Sequence, residues 1–207
     1  MGAPSIALID YRAGNLTSVR KALAAVGASV FTPEGADELA RADGVIVPGV
    51  GHFTATAALT RPWVDAIQSV IGGGRPLLGI CLGLQWLFEG SSEDAALPGA
   101  GFLPGRCHRL TGDPTANPVV KVPHVGWNAL ERHREAAILN GIPNGAQVYF
   151  THSYAAPLSA DTVAATTHGE TFASVVQRGL VAGVQFHPEK SGDVGLHILR
   201  NFLRMVG

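Results

Sequence analysis

A tight strand-to-helix turn around Cys81 constrains this chain more than any other feature of its sequence. The apolar residues 76–80 have the character of a buried strand, and residues 82–88 continue as an apolar helix. Glycines stand two residues before and two residues after Cys81, where small residues permit a sharp turn that lifts the middle side chain out of the sheet. We therefore predict a nucleophile elbow, with the Cys81 sulfur beside the exposed N–H groups at a helix start, which favour negative charge.

A second motif supplies the groups that a nucleophilic sulfur needs. His187 and Glu189 follow another apolar, strand-like run, residues 180–184. A histidine beside a cysteine can act as its base, and a carboxylate two residues on can orient the imidazole ring. A lone cysteine in an apolar run is more often a buried core residue, and a lone histidine is more often structural. The flanking glycines and the spacing of the acid favour catalysis by Cys81, His187 and Glu189.

Length and composition predict a single domain over residues 1–207. The chain is 46% hydrophobic, which is enough for one substantial core. A net charge of −1 without a dense basic run argues against nucleic acid or an anionic membrane surface as a partner. The apolar runs have strand length, so we expect no membrane span, and without a signal-like N-terminus we expect a cytoplasmic protein. The spacing of Cys81 and Cys107 predicts neither a disulfide framework nor a metal site.

The first half of the chain alternates strand and helix patterns. This alternation predicts right-handed crossovers and a mostly parallel sheet flanked by helices, with ligands at the carboxyl ends of the strands. Asn15 is the expected N-cap of the first helix, and Gly27 ends that helix. The predicted strands are 6–10, 29–32, 45–47 and 76–80, and the predicted helices are 16–26, 62–71 and 82–88.

The second half predicts antiparallel strands that pack on the sheet or continue it, because short alternating or aromatic runs are separated by turn residues. Residues 105–118 contain two prolines and are expected to form an exposed loop. A wide apolar face predicts a final helix over residues 193–205. The predicted strands are 119–122, 147–152, 162–167, 172–177 and 180–186.

Together these motifs resemble the class I (triad) glutamine amidotransferases, which hydrolyse glutamine to glutamate and pass ammonia to a synthase. The elbow and the His187-Pro188-Glu189 motif identify only the superfamily and not a narrower group within it. Further segments are similar to the glutaminase subunits that serve imidazole glycerol phosphate synthase in histidine biosynthesis. The resemblance runs from Asp10 to the last helix and implies the three-layer α/β fold of the family. The segments that carry the narrower resemblance are 48–53, 121–128, 149–154 and 185–191.

The resemblance implies a role for the residues around the elbow. Cys81 would attack the glutamine carboxamide, His187 would transfer the proton, and Glu189 would hold the imidazole ring. Backbone N–H groups would form the oxyanion hole. The Gly49-Val50-Gly51 segment of this hole is expected to point its amide away from the site until the synthase partner is loaded with its substrate. The expected oxyanion-hole residues are Gly49, Val50, Gly51 and Leu82, and the expected glutamine-binding residues are Gln85, Glu93, His152, Ser153 and Tyr154. The family needs no cofactor.

The resemblance also implies a partner, a (β/α)8-barrel cyclase in a 1:1 heterodimer. The cyclase would use ammonia to make imidazole glycerol phosphate and to release aminoimidazole carboxamide ribonucleotide. A sealed interface is needed because ammonia that equilibrates with water becomes ammonium and loses its nucleophilic lone pair. The expected interface residues are Asn15, Lys121, Pro123, Trp127, Asn128, Tyr149 and Lys190, and Lys190 is expected to pair with an acidic residue of the partner.

Three alternatives are weaker. A glutaminase that serves another synthase, such as anthranilate synthase, would be expected to differ in segments 121–128 and 149–154. A cysteine peptidase on a similar sheet would explain neither Glu93 nor these segments. A regulatory subunit without catalysis would be expected to lack a triad member. Trp86 is larger than expected after the elbow, Cys107 has no assigned role, and four histidines are expected to be structural or exposed. These are His52, His124, His133 and His168.

Overall fold

The computed structural model describes residues 2–14, 16–116 and 119–206. The strands are β1 (Ser5–Leu8), β2 (Ser29–Phe31), β3 (Gly44–Val47), β4 (Leu77–Ile80), β5 (Gly90–Ser91), β6 (Asp94–Pro98), β7 (Arg106–Arg109), β8 (His124–Ala129), β9 (Glu131–Arg132), β10 (Gln147–His152), β11 (Tyr154–Ala155), β12 (Thr162–His168), β13 (Glu170–Arg178) and β14 (Val181–Val184). The α-helices are α1 (Leu16–Ala25), α2 (Arg61–Gly72), α3 (Leu82–Leu87) and α4 (Gly192–Arg204).

The central sheet has eight strands in the order β2-β1-β3-β4-β14-β13-β12-β9. The five neighbouring strands β2, β1, β3, β4 and β14 run parallel to one another. The strands β13, β12 and β9 continue the sheet with antiparallel pairing. Two smaller sheets stand beside it, one formed by β10 and β8 and the other by β11, β7, β5 and β6. This architecture confirms the predicted mostly parallel α/β sheet with an additional antiparallel region.

Helices cover both faces of the central sheet, which is why its parallel strands are apolar on both sides. On one face, α1 and α4 pack on a core that includes Leu8, Ile46 and Leu78. On the other face, α2 and α3 pack on a core that includes Val47 and Leu77. Because β3, β4 and β14 are neighbours that run parallel, their carboxyl ends meet at one edge of the sheet.

Two predictions about the second half of the chain were wrong. The predicted strand 119–122 contributes one isolated bridge, between Val120 and Asp113, and the strand β8 begins later, at His124. The predicted loop 105–118 contains β7, which pairs with β5 and β11 and buries Cys107. Because arginines stand at both ends of β7, the hydrophobicity pattern does not reveal its single buried position, Cys107. The predicted N-cap Asn15 lies outside the described residues, among which no helix is long and apolar enough to cross a membrane.

Candidate active site

The elbow at Cys81 is the sharp turn that its two neighbouring glycines predicted. Cys81 has φ +55° and ψ −106°, a conformation that costs a non-glycine residue about 1–3 kcal/mol. A Cβ atom on Gly79 would come within 2.7 Å of the Gly83 carbonyl group, and one on Gly83 would lie 1.8 Å from the Val47 carbonyl oxygen. Only glycine fits at these two positions, because α3 passes directly over the ends of β3 and β4.

The end of β14 brings His187 and Glu189 to the same edge of the sheet. The Cys81 N–H donates to the Val184 carbonyl across 2.8 Å, so the ends of β4 and β14 are locked side by side. His187 Nδ1 lies 2.8 Å from Glu189 Oε1, and both side chains are buried. Because a carboxylate can only accept, Nδ1 carries a proton and Nε2 is the nitrogen free for chemistry. The third triad member thus orients the second.

His187 is held in its protonated form. Burial alone would lower its pKa, but hydrogen bonding and the negative charges of Cys81 and Glu189 raise the pKa to about 9. Within the described structure, Nε2 is buried without a partner of full hydrogen-bond geometry. At neutral pH His187 is therefore an imidazolium that can donate a proton beside the Cys81 sulfur.

A cavity of about 200 Å³ opens in front of Cys81 and brings together the predicted glutamine-binding residues. Its lining includes all five of them, together with Gly51 and Leu82 of the predicted oxyanion hole. Thr151 and Pro123 also line it. No role was expected for Thr151, and Pro123 was expected at the partner interface. The sequence could have suggested both, since each lies inside a segment that carried the family resemblance. The lining comprises Gly51, Cys81, Leu82, Gln85, Glu93, Pro123, Thr151, His152, Ser153 and Tyr154.

Gln85 and Glu93 are fixed by hydrogen bonds that leave polar atoms directed at the cavity. The Gln85 side chain is only 4% exposed and its Nε2 donates to the Tyr154 carbonyl oxygen at 2.8 Å, so it is not the solvent-facing helix residue that a pattern alone allows. Glu93 accepts the Phe53 N–H on Oε2 at 2.8 Å. Its other carboxylate oxygen remains available for a cationic ligand group such as an α-ammonium.

Two of the predicted oxyanion donors, the N–H groups of Val50 and Leu82, are occupied in this conformation. The peptide between Gly49 and Val50 presents its carbonyl oxygen to the Leu82 N–H at 3.3 Å, and its own N–H donates to the Ala13 carbonyl at 3.1 Å. A rotation of this one peptide unit would free Leu82 and turn the Val50 N–H in the opposite direction. Gly51, with φ +98°, is the residue after Val50 and supplies a backbone conformation that favours glycine.

Comparison with known proteins decides the family. The sequence matches the family described as "Glutamine amidotransferase class-I" over residues 7–206. The chain belongs to this family. The resemblance inferred from the Cys81 elbow and the His187-Pro188-Glu189 motif is therefore confirmed, and the enzyme is a class-I glutamine amidotransferase.

Curated relatives agree with this amidotransferase assignment, and a solved structure agrees with the fold. A protein of Shouchella clausii named "Imidazole glycerol phosphate synthase subunit HisH" is 44% identical over 97% of this chain and 98% of its own length. A protein of the same name from Moorella thermoacetica is 46% identical over 97% of this chain and 95% of its own length. The structure of PurLQS from Thermotoga maritima aligns with a TM-score of 0.74 at 16% identity, covering 99% of this chain and all of that one. At that identity, the likeness supports the fold alone.

A chain of histidines that begins with His152 at the amidotransferase cavity has its tautomers fixed by its neighbours. His152 Nδ1 donates to the Tyr154 carbonyl at 2.9 Å, so its Nε2 must accept from His124 Nδ1, 3.1 Å away. His124 Nε2 then accepts from the Asn128 amide at 3.3 Å. His168 stacks on His124 with ring centroids 4.0 Å apart. Both His124 and His152 are neutral, because burial first, and neighbouring histidines second, lower their pKa values to about 3 and about 4.

Three of the predicted partner residues of the amidotransferase, Trp127, Tyr149 and Lys190, lie together at the β8–β10 sheet. Trp127 is 57% exposed although it packs edge-on against Tyr149, with centroids 6.0 Å apart. Lys190 is exposed, with its Nζ 5.9 Å from the centre of the Tyr149 ring. Lys121 and Pro123 are exposed just before β8, and Asn128 is half-buried within it. Asn15 lies outside the described residues. Trp86, which the sequence flagged as too large, is accommodated by an edge-on contact with Phe102.

No metal centre accompanies these residues: residues 2–14, 16–116 and 119–206 contain no group of three or more histidine, cysteine or acidic side chains that could hold an ion. His52 caps the turn at Thr54 through Nδ1, and His133 is exposed, so neither joins the cavity.

Proposed function

We propose that this chain is the glutaminase subunit of imidazole glycerol phosphate synthase, which hydrolyses L-glutamine and supplies ammonia to a cyclase subunit. The observation that carries the proposal is the identity of 44–46% over nearly the full length to proteins named as a subunit of that synthase. The buried triad beside a cavity with fixed polar groups supports the hydrolytic half of it.

The reaction begins with glutamine in the cavity beside Cys81. Its α-ammonium group would bind the free oxygen of Glu93, and its side-chain amide would reach the sulfur past Gln85. The Cys81 thiolate attacks the carboxamide carbon, and the carbon–nitrogen bond breaks as the His187 imidazolium gives its proton to the leaving nitrogen. A γ-glutamyl thioester and ammonia result. His187, now neutral, deprotonates the water that hydrolyses the thioester and releases glutamate.

The oxyanion formed in each step needs donors that the described conformation keeps occupied. We propose that the Gly49–Val50 peptide rotates, so that the Leu82 and Val50 N–H groups both point at the oxyanion. The rotation breaks two backbone hydrogen bonds, each worth about 1 kcal/mol, so a partner can favour it with modest binding energy. One oxyanion donor is typically worth about 10²–10³ in rate. Rotation of this peptide into and out of the donor orientation would therefore switch glutamine hydrolysis on and off.

The cyclase partner would be a (β/α)8 barrel that docks in a 1:1 complex on the face around Trp127 and Tyr149. An exposed tryptophan braced by a tyrosine is typical of an interface anchor, and the lysine beside it would pair with an acidic residue of the barrel. Its metabolite substrates would place the complex in the cytoplasm, which cell fractionation would test.

The proposal is tested with purified chain, purified cyclase and the cyclase's ribonucleotide substrate. We expect slow glutamate release by the chain alone and release faster by at least about 10² when the substrate-loaded cyclase is added. Cys81→Ala should lose this activity but leave cyclase turnover with added ammonium salt intact. Cys107→Ala, which changes the other buried cysteine, is the matched control and should retain activity. Glutamine turnover by Cys81→Ala, or no stimulation by the loaded cyclase, would contradict the proposal.

A further inference from the structure

Gln185 is a fully buried polar side chain in contact with the nucleophile, Cys81. It follows the last residue of β14, and its N–H donates to the Ser174 carbonyl at 2.9 Å, which fixes its backbone in the sheet. The preceding carbonyl, that of Val184, holds the Cys81 N–H. Gln185 therefore lies beside the nucleophile by the register of β14 and β4, although the two residues are 104 positions apart in the chain.

The side-chain amide of Gln185 bridges the Cys81 sulfur and the side chain of Gln85. Its Nε2 donates to Cys81 Sγ at 3.7 Å, and its Oε1 accepts from Gln85 Nε2 at 3.4 Å. This orientation follows from the neighbours. The Tyr154 carbonyl can only accept, so Gln85 must direct its NH₂ group there and toward Oε1 of Gln185. The NH₂ group of Gln185 is then left for the sulfur.

We propose that Gln185 is a positioning residue of glutamine hydrolysis: its buried amide donates to the Cys81 sulfur and ties that sulfur to Gln85. The inference rests on the proposed role of Cys81 as nucleophile. A donor at this place stabilises the negative sulfur and holds it on the side of the cavity where Gln85 meets the substrate. Because the amide carries no charge and has no solvent access, it does so without competing with His187 for the proton.

Removal of this donor should make the sulfur less reactive in a way that needs no glutamine. Loss of a hydrogen bond to a charged group changes the equilibrium constant for forming that charge by about tenfold or more. The other ionisable groups that face the sulfur are His187, backed by Glu189, and Tyr11, whose pKa is raised by burial and then by the charge of Cys81. All three stay in place when Gln185 is changed.

The experiment measures alkylation of Cys81 by iodoacetamide between pH 5 and pH 10, in a Cys107→Ala background so that one thiol remains. We expect Gln185→Met, which keeps the length of the side chain, to slow alkylation at pH 7 by about tenfold and to move the midpoint of the profile to higher pH. Gln185→Glu removes the donor and adds a carboxylate, and we expect at least the same loss. The control is Thr166→Val, which removes the hydrogen bond from another fully buried side chain to the Ala129 carbonyl.

Thermal unfolding identifies the variants that fold, and the conclusion is drawn from whichever Gln185 variant does. Alkylation within twofold of the Thr166→Val control at every pH would overturn the proposal, since a merely structural glutamine would lower stability and leave the sulfur unchanged. In the complex with loaded cyclase, Gln185→Met should also raise KM and lower kcat, because Gln85 loses a partner. Failure of Cys81→Ala to abolish turnover would instead count against the proposed function, so the two failures are distinguishable.

Discussion

The Leu82 N–H donates to the carbonyl oxygen of Gly49, 3.3 Å away, where an acyl-transfer enzyme needs a free donor. The other side of the same peptide, the Val50 N–H, is held by Ala13 at 3.1 Å. One peptide unit therefore accounts for both missing oxyanion donors. This peptide unit links Gly49, whose carbonyl oxygen holds the residue after the nucleophile, to the exposed Val50. A docked partner can therefore act on it through Val50.

Replacing Val50 by proline should lower cyclase-stimulated glutamine hydrolysis by about 10²–10³, because proline has no N–H to present to the oxyanion. Binding of the cyclase should change much less. Val50→Ala keeps the N–H and is the matched control, with activity close to wild type. Both are assayed as kcat for glutamate release in the ligand-loaded complex. Equal kcat values for the two variants would remove Val50 from the oxyanion hole.

Replacing Glu189 by glutamine should be milder than replacing His187 by alanine. A glutamine can still accept from Nδ1 at the 2.8 Å position, so the ring stays oriented and only the charge is lost. Triads of this kind tolerate loss of the third member better, by about 10²-fold in kcat. Loss of the Glu189 charge should also lower the pKa of His187 from about 9, which shifts the alkaline limb of the pH–kcat profile to lower pH. A variant as inactive as His187→Ala would show that the charge itself takes part in proton transfer.

Replacing Trp127 by alanine should weaken cyclase binding by at least about tenfold, since a large exposed aromatic side chain braced by Tyr149 is a typical anchor. Leu158→Ala is the control, because Leu158 is 49% exposed and belongs to neither β8 nor β10. Titration calorimetry with purified cyclase measures both affinities. If the two changes weaken binding alike, the interface lies elsewhere.

Acid should destabilise the protein through His124 and His152. In the folded state their pKa values are lowered to about 3 and about 4, below the unfolded value of about 6.5. The unfolded chain therefore takes up protons first, so their stabilisation is complete above about pH 6.5 and is lost as the pH falls toward the folded values. Each such histidine contributes a slope of at most about 1.4 kcal/mol per pH unit.

His124→Gln should flatten the decrease in the free energy of unfolding between about pH 6.5 and 4, because a glutamine keeps a donor and an acceptor but takes up no proton. The exposed His133→Gln is the control and should leave the slope unchanged. Urea unfolding at a series of pH values measures this. An unchanged slope in His124→Gln would show that other groups cause the acid sensitivity.

The sequence by itself determined the parts of this protein that depend on short spacings. The two glycines around Cys81 required an elbow because α3 crosses the ends of β3 and β4 too closely for any Cβ. His187 and Glu189 are two residues apart, so one turn sets their contact. The alternation of strand and helix in the first half predicted the parallel sheet, since local hydrophobic patterns are strong where strands are covered on both faces.

Only the tertiary structure decided the contacts between distant segments. The bond from Gln185 to Cys81 joins residues 104 positions apart, and that from Gln85 to Tyr154 joins residues 69 apart. Strand β7 escaped prediction because its pairing with β5 and β11, rather than its own charged sequence, makes it a strand. The orientation of the Gly49–Val50 peptide is set by Ala13 and Leu82. A sequence pattern states which residues are able to bond, but the sheet register selects the partners that they meet.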